Sequence, residues 1–196
     1  MAEESAAQAD HIIDIPKIFY SDLTGAPIEK CISCESSLID AEIPYLIEKA
    51  IKPYQGFESF STVFEYAMCM SCAASMNGRI SKSSAAKITT YFTENIDFQQ
   101  REGLRIMGSI TPVNEWIGQC LIKNAPVEGM VECQLYAQCI GDQMVLGEFP
   151  YMIGGEALDE IIDCLSAETL DELDGMKDEL IGPSEFQDLL QSGPKV

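Results

Sequence analysis

The clearest pattern of hydrophobic and polar positions in this chain lies between residues 129 and 140. Apolar and polar residues alternate there, with a period of two that is typical of a β-strand with one buried face. Gly141 and Asp142 follow as a two-residue turn signal, and Gln143–Phe149 supplies a return strand. The pattern predicts a β-hairpin over residues 130–149. The predicted buried positions of its first strand are Val131, Cys133, Leu135, Ala137 and Cys139.

Two more apolar runs, Ile43–Ile51 and Phe60–Met68, are rich in β-branched and aromatic residues. Because Lys52–Gly56 between them is a loop signal, they predict a second hairpin. Periodicity does not separate a strand from a helix in a run this short, so a helix over the first run stays open. Lys17–Tyr20 and Gln119–Lys123 are candidates for additional short strands.

The remaining segments carry helical spacing and helix-capping residues. A short helix is predicted with Cys72 in its first turn, and Ser81 and Asp97 are candidate N-caps of two further helices. Acidic helices are predicted after residue 155. Ser166 is the expected N-cap of one of them, and a last short helix is predicted through Leu190.

The chain of 196 residues has 32 acidic and 12 basic side chains, which gives a net charge of −20. Residues 154–190 alone hold 12 acids and one base, Lys177. This charge argues against binding to nucleic acid or to anionic membranes. The acidic run is either a solvated helical face or a docking surface for a basic protein partner. Since the amino terminus has neither a basic nor an apolar leader segment, we expect a cytoplasmic location.

Four of the eight cysteines form two C-x-x-C pairs, Cys31 with Cys34 and Cys69 with Cys72. In a reducing compartment such pairs indicate metal binding or redox chemistry rather than structural disulfides. The order of a cysteine turn (a knuckle), a hairpin and a helix that carries the last cysteine resembles the treble-clef and zinc-ribbon group of zinc domains. The resemblance covers about residues 28–80, and no family is identified for the full chain.

This resemblance implies a structural Zn²⁺ site with four thiolate ligands, Cys31, Cys34, Cys69 and Cys72. A rubredoxin-like iron site usually has Gly after the second cysteine of each pair, and this chain has Glu35 and Ala73 at those positions. A redox dithiol would use a single pair and leave the other unexplained. Zinc is therefore favoured, with a redox dithiol, iron or no metal as alternatives.

The other cysteines have no spacing that matches a known ligand pattern. Cys133 and Cys139 lie on the apolar strand face and are expected to pack in the core. A second metal site made of Cys120, Cys133 and Cys139 is a weaker alternative, and the role of Cys164 is open.

The sequence contains no recognisable catalytic constellation. Its one histidine, His11, leaves no Ser-His-Asp or Cys-His arrangement to propose, and no phosphate-binding or nucleophile-elbow motif occurs. The function predicted is a non-catalytic protein-interaction or regulatory module with a structural zinc site. Alternatives are a thiol redox protein that uses the C-x-x-C pairs, or an enzyme whose catalytic residues are not evident.

These elements predict an α+β fold: a treble-clef-like zinc module followed by a small antiparallel sheet with acidic C-terminal helices. Three regions are expected along the chain. Residues 1–10 form a disordered N-terminus, residues 11–107 hold the zinc module and the helices that follow it, and residues 108–196 form a second α+β region.

Overall fold

The computed structural model describes residues 11–40, 43–57 and 59–181, with side chains up to residue 175. The predicted disordered segment 1–10 and the predicted helix through Leu190 lie outside these ranges. The strands are β1 (Ile12–Asp14), β2 (Tyr45–Pro53), β3 (Phe60–Cys69), β4 (Cys133–Ile140), β5 (Gln143–Val145) and β6 (Tyr151–Gly154). The α-helices are α1 (Met70–Asn77), α2 (Lys82–Asn95), α3 (Phe98–Met107), α4 (Val113–Ile117), α5 (Gly155–Asp163) and α6 (Ala167–Ile181). Within the described ranges, no helix is long and apolar enough to cross a membrane.

The strands form one sheet in the order β1-β5-β4-β2-β3, and every strand pairing in it is antiparallel. β4 is central. One of its edges pairs with β2, and the other edge is shared by β5 and β6. The predicted α+β class with an antiparallel sheet is therefore confirmed.

Both predicted hairpins are present, but the return strand of the second ends at Val145 and not at Phe149, because only Gln143–Val145 pairs with β4. The first apolar run becomes β2, which pairs with β3 on one side and β4 on the other, so the helical alternative for this run is wrong. In the second hairpin Met144 lies opposite Cys139, which brings the apolar positions of β4 and β5 to the same face.

Three local predictions are wrong. Lys17–Phe19 is a 3-10 turn, closed by a hydrogen bond from the Tyr20 N–H to the Lys17 carbonyl, and not a strand. Val131 is 82% exposed, because β4 begins only at Cys133, where its pairing with β2 ends. The segment predicted as a third strand near Cys120 makes only isolated bridges.

One face of the sheet builds the main core. The apolar side chains of β4 on this face are at most 1% exposed. Side chains from β2, from the segment before it and from α4 pack against them, and they include Tyr45, Ile47, Phe19, Leu38 and Trp116. Burial on this scale is the dominant stabilising term of a small fold.

β2 also carries two charged neighbours, Glu48 and Lys49, that point to opposite faces of the sheet. Lys49 is fully buried on the core side. Its Nζ atom donates to the Tyr20 carbonyl at 2.8 Å and lies 2.7 Å from Asp22 Oδ1 and 3.0 Å from Glu65 Oε2. Two carboxylates and a carbonyl thus compensate the buried ammonium group.

Glu48 lies in a row of tyrosines that crosses the opposite face. The strand register places Tyr66, Glu48, Tyr136 and Tyr151 side by side on four adjacent strands. The Tyr66 hydroxyl donates to Glu48 Oε2 at 2.5 Å. Burial raises the pKa of Glu48, and the tyrosine hydroxyls only partly offset this effect. Among the described residues no basic side chain lies within ion-pair distance of Glu48.

The division between residues 107 and 108 stays a prediction. Many contacts cross it in the described structure. For example, β2 pairs with β4 along Tyr45–Ile51, and the Oγ atoms of Ser81 and Ser166, which cap α2 and α6, lie 3.2 Å apart.

Candidate metal centre

The first cysteine pair lies in a tight turn between Lys30 and Ser37, which form an isolated antiparallel bridge. Inside it the Cys31 N–H donates to the Ser36 carbonyl at 3.0 Å, and the Glu35 N–H donates to the Cys31 carbonyl at 2.9 Å. The chain therefore reverses direction over six residues and brings both cysteine side chains to the same side.

Glu35 adopts a left-handed backbone conformation, with φ of 58°. This conformation usually favours Gly, and it costs other residues roughly 1–2 kcal/mol. The lack of Gly at this position, used above against a rubredoxin-like site, therefore does not prevent the knuckle from forming. Ala73, the corresponding residue of the second pair, lies inside α1, so the second pair is not a second knuckle of the same kind.

The knuckle is attached to the sheet edge. The Ile32 N–H donates to the Ala67 carbonyl of β3 at 2.9 Å. Cys31 is 1% exposed and belongs to the core, together with the fully buried Leu38 that follows the turn. The position of the first cysteine pair relative to β3 is thus fixed by both a hydrogen bond and packing.

The second pair lies at the junction of strand and helix. Cys69 is the last residue of β3 and the N-cap of α1, and Cys72 lies in the first turn of that helix, as predicted. The Met70 N–H donates to the Pro44 carbonyl just before β2, and the Cys69 N–H points to Cys31 Sγ at 3.4 Å. Helix geometry then directs the Cys72 side chain back toward Cys69.

The four sulfur atoms of Cys31, Cys34, Cys69 and Cys72 all lie within 4.8 Å of one another. The sulfurs of Cys34 and Cys69 are 3.8 Å apart, far beyond the ~2.05 Å of a disulfide. A tetrahedral ion with ~2.3 Å metal–sulfur bonds would hold its sulfurs about 3.8 Å apart. The four side chains therefore fit a single metal ion, and within the described ranges this is the only such group of ligands.

Two serine hydroxyls favour the ionised form of two of these thiols. Cys34 Sγ lies 3.2 Å from Ser36 Oγ, and this contact, together with the Ser36 backbone, lowers the pKa of Cys34 to about 6. Cys69 Sγ lies 3.1 Å from Ser71 Oγ, which lowers the pKa of Cys69. Each serine stands two residues after its cysteine, a repeated C-x-S signal that the sequence reasoning missed.

The surroundings of Cys72 raise its pKa instead of lowering it. Ser33 lowers its pKa, but the neighbouring sulfurs, with Cys69 foremost, and desolvation outweigh that contact and raise the pKa to about 12. A cation placed among the four sulfurs would reverse this balance, because it stabilises every thiolate around it.

The remaining four cysteines lie away from the cluster. Cys133 and Cys139 are fully buried in the core, as predicted, and Cys120 is 1% exposed. Cys120 Sγ accepts hydrogen bonds from the Lys123 and Gly154 N–H groups at 3.4 Å. The alternative second site of Cys120, Cys133 and Cys139 does not form a group of metal ligands in the described structure.

Comparisons with models of protein families, with curated proteins and with solved structures find no significant match to this chain.

Proposed function

We propose that the four clustered cysteines bind one structural zinc ion, and that the chain is a non-catalytic protein-interaction module. The observation that carries the metal assignment is the sulfur cluster, with all four atoms within 4.8 Å. Four thiolates fill a tetrahedral coordination sphere and leave no open position for substrate or water, which is the arrangement of structural rather than catalytic zinc. The proposal assumes a reducing compartment, the cytoplasm, where thiolates stay available.

We further propose that residues 28–80 form a treble-clef-like zinc module. The support is the order of elements: the knuckle at Cys31–Cys34, the hairpin of β2 and β3, and then α1 with Cys72 in its first turn. In this module the ion would join the knuckle to the start of the helix, two segments that otherwise meet through few hydrogen bonds.

Metal analysis of protein purified without added metal, chelator or reductant tests the assignment. We expect one zinc per chain. We also expect the four clustered thiols to resist a thiol reagent until the protein is denatured or a chelator removes the metal. A matched Cys133→Ala variant should keep its zinc, because Cys133 lies in the apolar core. Protein without metal that shows a reversible disulfide would favour a thiol redox protein instead, and stoichiometric iron would contradict zinc.

The interaction part of the proposal is supported by charge. Helices α5 and α6 expose carboxylates on the faces that their apolar stripes leave free, and these residues include Glu156, Asp159, Asp163, Asp171, Glu172 and Asp174. Partly exposed apolar side chains, Ile162 and Leu170, lie among them. Such a surface suits a partner with basic side chains and steers its association at low salt. Glu160 is excluded from this surface, because it pairs with Lys123 at 2.5 Å and with Tyr91, whereas Glu156 is 80% exposed and lies 3.9 Å from the same Lys123.

Two charge-matched triple variants test this surface. One carries Asp159→Asn, Asp171→Asn and Glu172→Gln on the acidic helices. The control carries Glu29→Gln, Glu94→Gln and Glu128→Gln, three exposed acids elsewhere with the same change in net charge. Partners cross-linked in lysate at low salt should be lost only in the first variant, and wild type should lose them at high salt. Equal retention by all three proteins would contradict electrostatic docking at α5 and α6.

A further inference from the structure

A cavity of about 470 Å³ lies between the end of α2, the first turns of α3 and the segment before β6. Its wall is mainly apolar and includes four aromatic rings, those of Phe92, Phe98, Phe149 and Tyr151. The rings of Phe149 and Tyr151 stack with centroids 5.0 Å apart. The volume lies within the range of roughly 300–1,000 Å³ that small-molecule sites occupy. Neither the cysteine cluster nor the acidic helix faces contribute to it.

A cationic group also lines this aromatic cavity. Arg101 of α3 donates from Nη2 to the Glu148 carbonyl at 2.8 Å and to the Pro150 carbonyl at 3.1 Å. Its guanidinium group stacks on the Trp116 ring at 4.9 Å. Two carbonyls and an indole therefore fix the guanidinium group without neutralising its charge. Among the described residues no carboxylate lies within ion-pair distance of Arg101.

The second arginine that lines the cavity, Arg105, has a carboxylate partner. Arg105 forms a two-pronged ion pair with Glu102, from Nε at 2.8 Å and from Nη2 at 2.6 Å, and both side chains are about half exposed. Its charge is already compensated. Arg101 is thus the cation of this cavity that still has binding capacity for an anion, in a chain whose net charge is −20.

From this arrangement we infer that the cavity binds a small organic acid, with an aromatic body among the phenyl rings and a carboxylate on Arg101. Nη2 of Arg101 already donates to two carbonyls, so a carboxylate would accept from Nη1 or Nε, and such charge-assisted bonds are about twice as strong as neutral ones. The apolar wall supplies affinity for the body of the ligand, and the fixed guanidinium supplies the preference for an acid.

The test compares 3-phenylpropionate with its neutral, nearly isosteric amide, 3-phenylpropionamide. Trp116 is the single tryptophan of the chain and touches Arg101, so its fluorescence reports binding at this guanidinium. Calorimetry supplies an independent affinity. We expect the acid to bind at least about tenfold more tightly than the amide, because the amide cannot pair with the charge on Arg101.

Two glycine variants test whether the acid binds in this cavity. Gly147 lines the cavity, and a Cβ atom there would meet no other atom within 4 Å, so Gly147→Leu places a large side chain at the cavity wall without a backbone clash. Gly103 on α3 is equally free of neighbours but does not line the cavity, so Gly103→Leu is the matched control. Binding of the acid should be lost in the first variant and retained in the second.

Several outcomes would overturn the inference: no binding of the acid, equal binding of acid and amide, or binding that survives Gly147→Leu. Equal loss in both glycine variants would do the same. If Gly147→Leu does not fold, the acid–amide comparison and the Trp116 response in the wild-type protein decide the question alone.

Discussion

The eight cysteines form two sets that the fold treats in opposite ways. In the first set, at the knuckle and the start of α1, four sulfurs lie within 4.8 Å of one another and vary from buried to exposed. In the second set each sulfur packs separately, and Cys133 and Cys139 lie in the core with no exposed surface.

The two sets also differ in ionisation. Serine contacts lower the pKa of Cys34 to about 6, whereas burial raises the pKa of both Cys133 and Cys139 to about 12. The cluster thus favours the thiolate form of Cys34 and Cys69, although its neighbouring sulfurs raise the pKa of Cys72, whereas the core favours neutral thiols, which behave as small apolar groups. Burial alone therefore does not separate the two sets, because Cys31 and Cys69 are buried as well. The clustered set is distinguished by proximity to other sulfurs and, at Cys34 and Cys69, to serine hydroxyls.

Replacing a clustered cysteine should have the largest effect. In Cys69→Ser we expect loss of the metal and of most of the stability of residues 28–80, since binding at such sites contributes on the order of 10 kcal/mol to folding. Metal analysis and hydrogen exchange measure the two effects. Because β2 also pairs with β4, we expect the knuckle, β3 and α1 to lose protection first, while β4 and β5 keep theirs. A fully stable variant that still carries one zinc would contradict the four-cysteine assignment.

After a chelator has removed the metal, alkylation should distinguish the two sets of cysteines, with an effect of intermediate size. Once the metal is removed, the exposed Cys34 should react first with iodoacetamide near neutral pH, because its pKa of about 6 makes it largely thiolate there. Its rate should fall about tenfold per pH unit below pH 6, where the thiolate becomes protonated. Cys133 and Cys139 should react only on unfolding. Mass spectrometry of the labelled peptides measures these rates.

Ser36→Ala is the control for this experiment. It removes the main contact that lowers the pKa of Cys34, so alkylation near neutral pH should slow toward the rate of an ordinary exposed thiol. An unchanged rate would mean that Ser36 does not set the reactivity of Cys34.

The smallest effects should come from the core cysteines. Cys133→Ala and Cys139→Ala each shrink a small buried side chain, so we expect each to lower the free energy of unfolding by only ~1–2 kcal/mol. The zinc content should not change. Denaturant unfolding together with metal analysis gives both values, and loss of metal in either variant would indicate a second site.

Sequence patterns predict those elements of this molecule that depend on a local rule, such as alternation of apolar residues, helix capping or cysteine spacing. Alternation and apolar runs predict both hairpins, and the N-caps Ser81 and Asp97 mark the starts of α2 and α3, where their side chains accept backbone N–H bonds. Cysteine spacing predicts the four clustered sulfurs, because a knuckle and a helix start are local structures that two-residue gaps define.

The rest depends on contacts distant in sequence. Lys49 becomes fully buried only because Asp22 and Glu65 reach it from other segments. Val131 fits the alternation of its strand but lies beyond the end of the partner strand, and is exposed. The cavity beside Arg101 is assembled from α2, α3 and the segment before β6, and no single stretch of sequence indicates it.

The opposed charges of Glu48 and Lys49 restrict how β2 can align with its neighbours. A slip of β2 by one residue would exchange the faces of all its side chains. In one direction of slip Glu48 would take the place of Lys49 beside Asp22 and Glu65, and in either direction Lys49 would lose both of its counter-charges. The strand misaligned in the first direction would thus combine carboxylate repulsion with an uncompensated buried ammonium group, in addition to exposing apolar side chains. This one pair of residues therefore favours a single alignment of a central strand, independently of the apolar residues around it.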